Sequence, residues 1–270
     1  MKKTVAILIA VLFILGNFAA LAETNVEKIT IGTEGAYAPF NFINADGQPD
    51  GYDIAVAKAV DELIPELEFE FVPTEWSSIF VALESGRFDV IFSQIAKNAD
   101  REAKYLFSNT PYGYSANAII YAEGRDDIAS LQDLYGKTVA AGLGSANTAW
   151  LENYNKENGD PINISYTDGD VSKMLQDIIN GRVDATLNNP VTTKLIADEQ
   201  GLEVDWTVWV DNGLVPVFVL YSNTENGQRY QELIDPAIQT LLENGTLAEL
   251  SVQYLGADYS TEEAVLAQVE

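Results

Sequence analysis

The chain has 270 residues, 47% hydrophobic and 21% charged, which is the composition of a globular protein long enough for one large domain or two lobes. It contains no cysteine and no histidine, so disulfides, thiol nucleophiles, Ser-His-Asp triads and the usual zinc sites are excluded. A formal charge of −26, spread along the sequence instead of gathered in a tail, argues against nucleic acid or an anionic membrane surface as partner and is read as solubility.

At the N-terminus Lys2 and Lys3 precede an apolar run from about Val5 to Leu15, and Ala20-Leu21-Ala22 offers small residues for cleavage before Glu23. This is the pattern of a secretory signal peptide over residues 1–22. The apolar run is short for a spanning helix, and no later segment is long and apolar enough to span. No cysteine stands at the cleavage point to carry a lipid, so the mature chain is expected to be free in the periplasm. Loss of the two leader lysines takes the formal charge from −26 to −28.

Lys28 to Gly32 alternates as a first strand should. Beyond it Tyr37, Phe40 and Phe42 cluster in an irregular turn, where aromatics serve as core lining or as a ligand platform. Asn44-Ala45-Asp46-Gly47 reads as a hairpin-like turn. Gly51-Tyr52-Asp53 opens a helix with Ile54, Val56, Val60, Leu63 and Ile64 on its apolar face, ending at Pro65. Leu67, Phe69 and Phe71 alternate with Glu66, Glu68 and Glu70 as a strand with one wet face. Trp76 then sits in a strand-end loop, either packing the lobes or facing a ligand, and Ser77 or Ser78 is expected to cap a helix from Ile79 to Ser85.

Gly86 reads as the stop of that helix, and Phe88 to Phe92 as a strand buried on both faces of a parallel sheet. Ser93 and Gln94 put hydrogen-bonding groups at its carboxyl end, where open α/β sheets bind ligands. Asn98 reads as an N-cap, which places Arg101 in the first helical turn, where the dipole disfavours a cation unless an anion joins it. The alternative is a surface arginine paired with Asp100 or Glu102.

Ser108 to Ser115 breaks the pattern, Ala118 to Tyr121 resumes as a strand, Leu131 to Leu134 is a short helix, and Lys137 to Ala141 a strand. Gly142-Leu143-Gly144-Ser145-Ala146-Asn147 is a glycine-rich strand-to-helix loop that lacks the phosphate-loop Gly-Lys-Ser/Thr, yet it can offer backbone N–H groups to a carboxylate. Ile178-Ile179-Asn180-Gly181-Arg182-Val183-Asp184-Ala185 restates Leu83-Glu84-Ser85-Gly86-Arg87-Phe88-Asp89-Val90, so one supersecondary unit occurs twice. The second copy ends in Asn188-Asn189-Pro190, with Asn189 expected to cap the helix Val191 to Asp198. Two lobes facing across a cleft follow. Val204 to Val208 and Val215 to Tyr221 read as strands, with a break at Asn212-Gly213. This break and the one near Tyr112 to Ser115 imply that the chain leaves the first lobe and returns over a two-strand hinge. Helices from Gln228 to Glu243 and Thr246 to Tyr254 close the lobe, and Ser260-Thr261-Glu262-Glu263 caps a short helix polar enough to fray.

From Ile29 to Gly256 the chain resembles the type II periplasmic substrate-binding proteins of polar amino-acid ABC importers. The carriers are Gly32-Thr33-Glu34-Gly35-Ala36-Tyr37-Ala38-Pro39-Phe40, Gly51-Tyr52-Asp53, Trp76, Gly86-Arg87-Phe88-Asp89, the Arg101 loop, Gly144-Ser145, the second Gly-Arg-apolar-Asp unit and Glu243-Asn244-Gly245-Thr246. Glu34, the Asn98 to Arg101 loop and Asp184 to Asn188 are most similar to the cystine-binding branch. The resemblance implies an α/β periplasmic-binding-protein type II fold, two α/β lobes on a two-strand hinge: residues 27–112 plus 216–256 as lobe 1, 113–215 as lobe 2 and 257–270 as a tail. It implies a monomeric, non-enzymatic protein, without cofactor or metal, that passes an amino acid to an importer permease.

The ligand set the resemblance implies is Glu34, Tyr37, Trp76, Ser93, Gln94, Ile95, Ala96, Arg101, Gly142, Ser145, Ala146, Asn147 and Asn189. Arg101 would clamp the ligand carboxylate with backbone N–H groups near Ala96 and Ala146. Tyr37 and Trp76 would sandwich its side chain, and Glu34 would meet a polar tail. Asn189 is placed where the family usually has an aspartate for the α-ammonium, and a neutral amide cannot neutralise a buried charge. Either Glu34 takes over the ammonium, or the ligand is not an ordinary α-amino acid. Some exported dehydratases acting on prephenate-like acids share the fold, so Glu34 as a general acid near Arg101 is the alternative.

Overall fold

The computed structural model describes residues 26–208 and 214–269; the leader readings and the Asn212-Gly213 break lie outside the described residues. The chain opens with β1 (Glu27–Thr33), a small three-stranded sheet of β2 (Ala36–Tyr37), β3 (Asn41–Ile43) and β4 (Pro49–Asp50), and α1 (Tyr52–Leu63). β5 (Leu67–Pro73), α2 (Trp76–Glu84), β6 (Val90–Ala96), the single turn α3 (Ala99–Glu102), β7 (Leu106–Phe107) and β8 (Gly113–Ala116) follow. The middle of the chain holds β9 (Ala118–Ala122), a 3-10 turn at Leu131–Leu134, β10 (Thr138–Gly142), α4 (Ala146–Asn158), β11 (Asn163–Thr167), α5 (Val171–Ile179), β12 (Ala185–Asn188), α6 (Pro190–Gln200) and β13 (Val204–Val208). It ends with β14 (Leu214–Tyr221), α7 (Glu225–Glu243), α8 (Thr246–Leu255) and α9 (Glu262–Val269).

Two sheets carry the architecture, in the orders β5-β1-β6-β14-β7 and β11-β10-β12-β9-β13. In each, three parallel strands meet an antiparallel fourth, so the second sheet repeats the first. The sequence repeat is the cause. Gly86 and Gly181 take left-handed φ of 72° and 66°, a conformation open to glycine at no steric cost. The arginine after each then returns its N–H to the preceding helix, Arg87 to Ala82 O and Arg182 to Asp177 O, both at 2.9 Å. The aspartate N–H of each unit bonds the neighbouring strand, Asp89 to Thr30 O at 3.1 Å and Asp184 to Thr138 O at 2.7 Å.

Alternate faces of each sheet bury against different helices. In the first lobe Ile29, Ile31, Val90 and Phe92 pack on α1, α7 and α8, while Ile91, Ile95 and Phe218 pack with Ile79 and Leu83 of α2. In the second, Val139 and Leu187 meet Leu151 of α4, and Ile120 and Ala140 meet Met174 and Leu175 of α5. The lobes are joined where β8 pairs β14 in one register and β9 pairs β13 in the next, with Asn117 at the crossing.

Three expectations are corrected. The buried strand begins at Val90, not Phe88, and continues through Ser93 to Ala96, because its pairing with β14 slips between Phe218 and Leu220 and absorbs the polar residues in a bulge around Gln94, at φ 50°. α2 begins at Trp76 and is not capped by Ser77 or Ser78; its N-cap Glu75 makes no side-chain cap bond, and Ser78 Oγ donates back to Glu75 O at 3.1 Å. The C-terminal tail is docked: Tyr114 N–H of β8 donates to Tyr259 O at 2.8 Å, Thr261 Oγ1 accepts from Ala264 N–H at 3.1 Å, and Val265 is buried.

Candidate ligand-binding site

The carboxyl ends of β6 and β10, with the loops after β1 and β12, converge on a cavity of about 130 Å³ between the lobes. A single water needs roughly 10 to 15 Å³ so counted, so an amino-acid-sized molecule fits. From the first lobe Glu34, Tyr37, Trp76, Ser93, Gln94, Ala96 and Arg101 line it. From the second come Gly142, Ser145, Ala146, Asn147, Gly169 and Asn188.

Arg101 is held by its own turn: Asn98 Oδ1 accepts its backbone N–H at 2.8 Å. The side chain does not turn out to Asp100 or Glu102. It folds inward over Phe80 and Trp76, with Cζ 4.7 and 5.5 Å from the ring centroids, and is 6% exposed. Nη1 donates to Ala96 O at 2.7 Å and Nη2 crosses the cleft to Gly144 O at 2.8 Å. Among the described residues no carboxylate forms an ion pair with it. Burial lowers its pKa to about 10, so it stays charged at neutral pH. A buried cation without a counterion attracts an anion, and the two carbonyls orient its fork. The dipole expected to act on Arg101 has little to act through, since α3 is one turn.

The helix that does face the cavity is α4. Ser145 caps it, its Oγ accepting from Thr148 N–H at 3.0 Å, while Thr148 Oγ1 donates to Gly142 O at 2.7 Å. Its first N–H groups, at Ala146 and Asn147, are thereby left to the cleft, next to the Gly144 carbonyl that meets Arg101. Asn147 spends its side-chain amide on Leu187 O and Asn117 Oδ1, at 3.1 and 3.2 Å, tying α4 to the crossing strands. At the rim Gly169, at φ 93°, approaches Trp76 so closely that an added Cβ would lie 3.2 Å from the indole; one on Gly142 would lie 2.9 Å from Gly169 Cα.

At the other end Glu34 donates its backbone N–H to Ser93 Oγ at 3.1 Å. Burial raises its carboxyl pKa to about 7, with further contributions from Glu75, Asp170 and Asp53. Gln94 contributes less to the cavity through its side chain than expected, because Nε2 donates to Asp53 Oδ1 at 2.7 Å. Asp53 is fully buried and also accepts from Asn41 Nδ2 at 2.7 Å and Tyr112 Oη at 3.0 Å; burial still raises its pKa to about 6. Tyr112 Oη accepts from Gln94 N–H at 3.0 Å, and Asn41 Oδ1 from Gly35 N–H at 3.0 Å. One buried carboxylate thus fixes the Gln94 bulge, the Glu34–Tyr37 loop and the chain entering β8.

Two expected site residues do not face the cavity. Ile95 is fully buried against α2, on the opposite face of β6 from Ala96. Asn189 is consumed as the cap of α6: Oδ1 accepts from Val191 and Thr192 N–H at 2.7 and 3.4 Å, and Nδ2 donates to Ser115 Oγ at 2.7 Å. The amide in the cleft is Asn188, one residue earlier, whose Oδ1 accepts from Tyr37 Oη of the first lobe at 3.1 Å. Gly169 was also missed, although Asp168-Gly169 after the alternating Ile164 and Tyr166 is a strand-end turn signal. Ser115 carried no signal beyond lying in the break, and Asn117, between that break and the strand from Ala118, carried none.

The sequence profile of the bacterial extracellular solute-binding proteins, family 3, matches residues 29–257. The L-cystine-binding protein TcyJ of Bacillus subtilis strain 168 is 32% identical over 263 residues, 96% of this chain and 97% of that protein. Its counterpart TcyK from the same organism is 30% identical over 264 residues, again 96% and 97%. A solved structure described as a putative L-cystine ABC transporter from Listeria monocytogenes superposes with a TM-score of 0.79 at 28% identity, covering 88% of this chain and 99% of the other.

Proposed function

The chain belongs to the bacterial extracellular solute-binding proteins, family 3, and we propose that it captures a small polar amino acid, cystine or a close analogue, and delivers it to an ABC importer. Lobe 1 is residues 27–112 with 216–256, lobe 2 is 113–215, and the pair closes on the crossing strands. Arg101 holds the ligand carboxylate, α4 adds N–H groups at Ala146 and Asn147, and Tyr37 and Trp76 flank the side chain. Export, a periplasmic location and a monomeric state belong to the same reading.

The observation that carries it is the buried Arg101 guanidinium, unpaired by any carboxylate among the described residues and reaching from one lobe to the other. A ligand that contacts both lobes stabilises the closed form through interactions the open form lacks, and only that difference shifts the population. The names of the relatives as cystine-binding proteins support the ligand class; no comparable support attaches to the dehydratase alternative. The test is calorimetric titration of Glu23 to Glu270, refolded free of bound solute, with L-cystine, other polar amino acids and prephenate. Heat with an amino acid and no loss of prephenate is expected; turnover of prephenate would overturn the reading.

A further inference from the structure

On the lobe 1 side of the crossing stand β8 and β14, and β8, four residues long, is much the shorter. Along one edge it is bonded to β14. A short strand with a bare second edge would be free to bend and would leave backbone donors unpaired. That edge is covered. Tyr114 stands opposite Pro216, which has no N–H to offer, and turns its own N–H outward to Tyr259 O at 2.8 Å.

Tyr259 belongs to a tail that turns back after α8. Gly256 ends that helix in the left-handed conformation, and the fully buried Ser251 then holds the returning chain at two points: Oγ donates to Ala257 O at 2.8 Å and accepts from Tyr259 N–H at 2.7 Å. Beyond it Asp258 Oδ1 accepts from Ser260 N–H and Oγ, at 2.8 and 2.6 Å, and α9, with Val265 buried, packs against β14. The family profile stops at residue 257, so the segment that covers β8 lies outside the matched part of the chain.

The bonds on β8 divide between the lobes. Gly113 and Tyr114 are held by lobe 1 and the tail: Tyr259 takes the Tyr114 N–H, and a Cβ on Gly113 would stand 3.3 Å from Tyr52 Oη and 3.6 Å from Tyr259 O. One residue later the partners come from lobe 2. Ser115 Oγ accepts from Asn189 Nδ2 of the α6 cap at 2.7 Å, and Asn117 Oδ1 accepts from Asn147 Nδ2 of α4 at 3.2 Å.

Resting on the reading of the crossing strands as a hinge, we propose that the C-terminal tail is a strap that fastens the start of β8 to lobe 1 and confines the hinge rotation to residues 115–117. With the strap released, rotation spreads back over Tyr114 and Gly113, the glycine being the freest to turn. The open form then gains conformations that the closed form lacks. The closed fraction falls, and apparent affinity falls with it.

The test uses the full mature chain and two substitutions away from the cleft. Ser251→Ala removes the hydroxyl that holds the returning chain, and Val265→Lys places a charge where α9 is buried. Amide hydrogen exchange at Tyr114, resolved by NMR, reports whether the strap is docked. Spin labels at Val81→Cys on α2 and Ile179→Cys on α5 report the spread of distances between the lobes. In both variants Tyr114 should exchange about tenfold faster or more, and the ligand-free distance distribution should be broader than in the unsubstituted protein. The Kd for L-cystine should rise about threefold to tenfold, with the ligand-bound distance and the circular dichroism unchanged. A Tyr114 amide that loses its protection while the ligand-free distribution stays the same overturns the proposal, as does protection retained in both variants. The distributions are read without ligand, so failure of L-cystine to bind counts against the ligand reading and leaves the strap to be decided by them. Lobes of the unsubstituted protein that keep one distance with and without bound ligand overturn the hinge reading and the strap with it.

Discussion

Nη2 of Arg101, on the first lobe, donates to the carbonyl oxygen of Gly144, on the second, at 2.8 Å. The bond exists only with the lobes together, so the residue proposed to hold the ligand carboxylate also joins the two halves of the cleft. Trp76 against Gly169 and Tyr37 against Asn188 span the same gap.

Replacing Arg101 separates stability from affinity. In Arg101→Met two charge-assisted hydrogen bonds are lost, about 3 kcal/mol of binding or about a hundredfold in Kd. The substitution also removes a buried charge that has no counterion among the described residues, so the melting temperature of the ligand-free protein should hold or rise. Calorimetry with L-cystine and thermal unfolding on the same preparation check both halves.

The ligand-free protein should lose stability as pH rises from 5 to 8. The Glu34 and Asp53 carboxyls are raised to about 7 and about 6 in the fold, above their values near 4 in an unfolded chain. The folded state therefore holds these protons more tightly. Their contribution is complete below about pH 4 and is lost as pH climbs through 6 and 7. Glu34→Gln should flatten the upper part of the fall. A melting temperature that stays level or rises over this range contradicts the assignment.

Asp53→Ala leaves the donors of Asn41, Gln94 and Tyr112 buried without their acceptor, at a cost of about 3 kcal/mol or more in urea unfolding. Asp53→Asn keeps one acceptor oxygen and should cost less. Both variants should bind L-cystine more weakly, because the network holds Gln94 at its positive φ and fixes the loop that carries Glu34 and Tyr37.

Gly169→Ala tests the rim. At φ 93° a side chain is strained, and its Cβ would stand 3.2 Å from the Trp76 indole. A loss of about tenfold in affinity for L-cystine is expected, from roughly 1 to 2 kcal/mol of strain and displaced contact. Phe80, packed edge-on against Trp76, limits how far the ring can yield.

Most of the fold was legible because its signals are local. The Gly-Arg-apolar-Asp repeat fixed the equivalence of the two sheets, and Asn98 capped the Arg101 turn as its side chain suggested. The misplacements arose where tertiary pairing overrode a local pattern. The bulge around Gln94 depends on register with β14, more than a hundred residues away, and moved the polar end of β6 into the strand. Asn188 and Asn189 are chemically identical neighbours, and which one faces the cleft is decided by the start of α6 at Pro190 and by Ser115 on β8. Arg101 was drawn to the cleft by a dipole argument, yet what holds it there is two carbonyls, one of them from the other lobe.

Closure of two lobes on a ligand is the core of the account, and the absence of cysteine makes it directly measurable. Spin labels at Val81→Cys on α2 and Ile179→Cys on α5, both exposed, report the distance between lobes by pulsed electron resonance. Saturating L-cystine should move a broad distribution to a shorter, narrower one, and Arg101→Met should raise the L-cystine concentration needed for the shift about a hundredfold. An identical distribution with and without L-cystine, in a sample whose calorimetry shows the ligand bound, would contradict it.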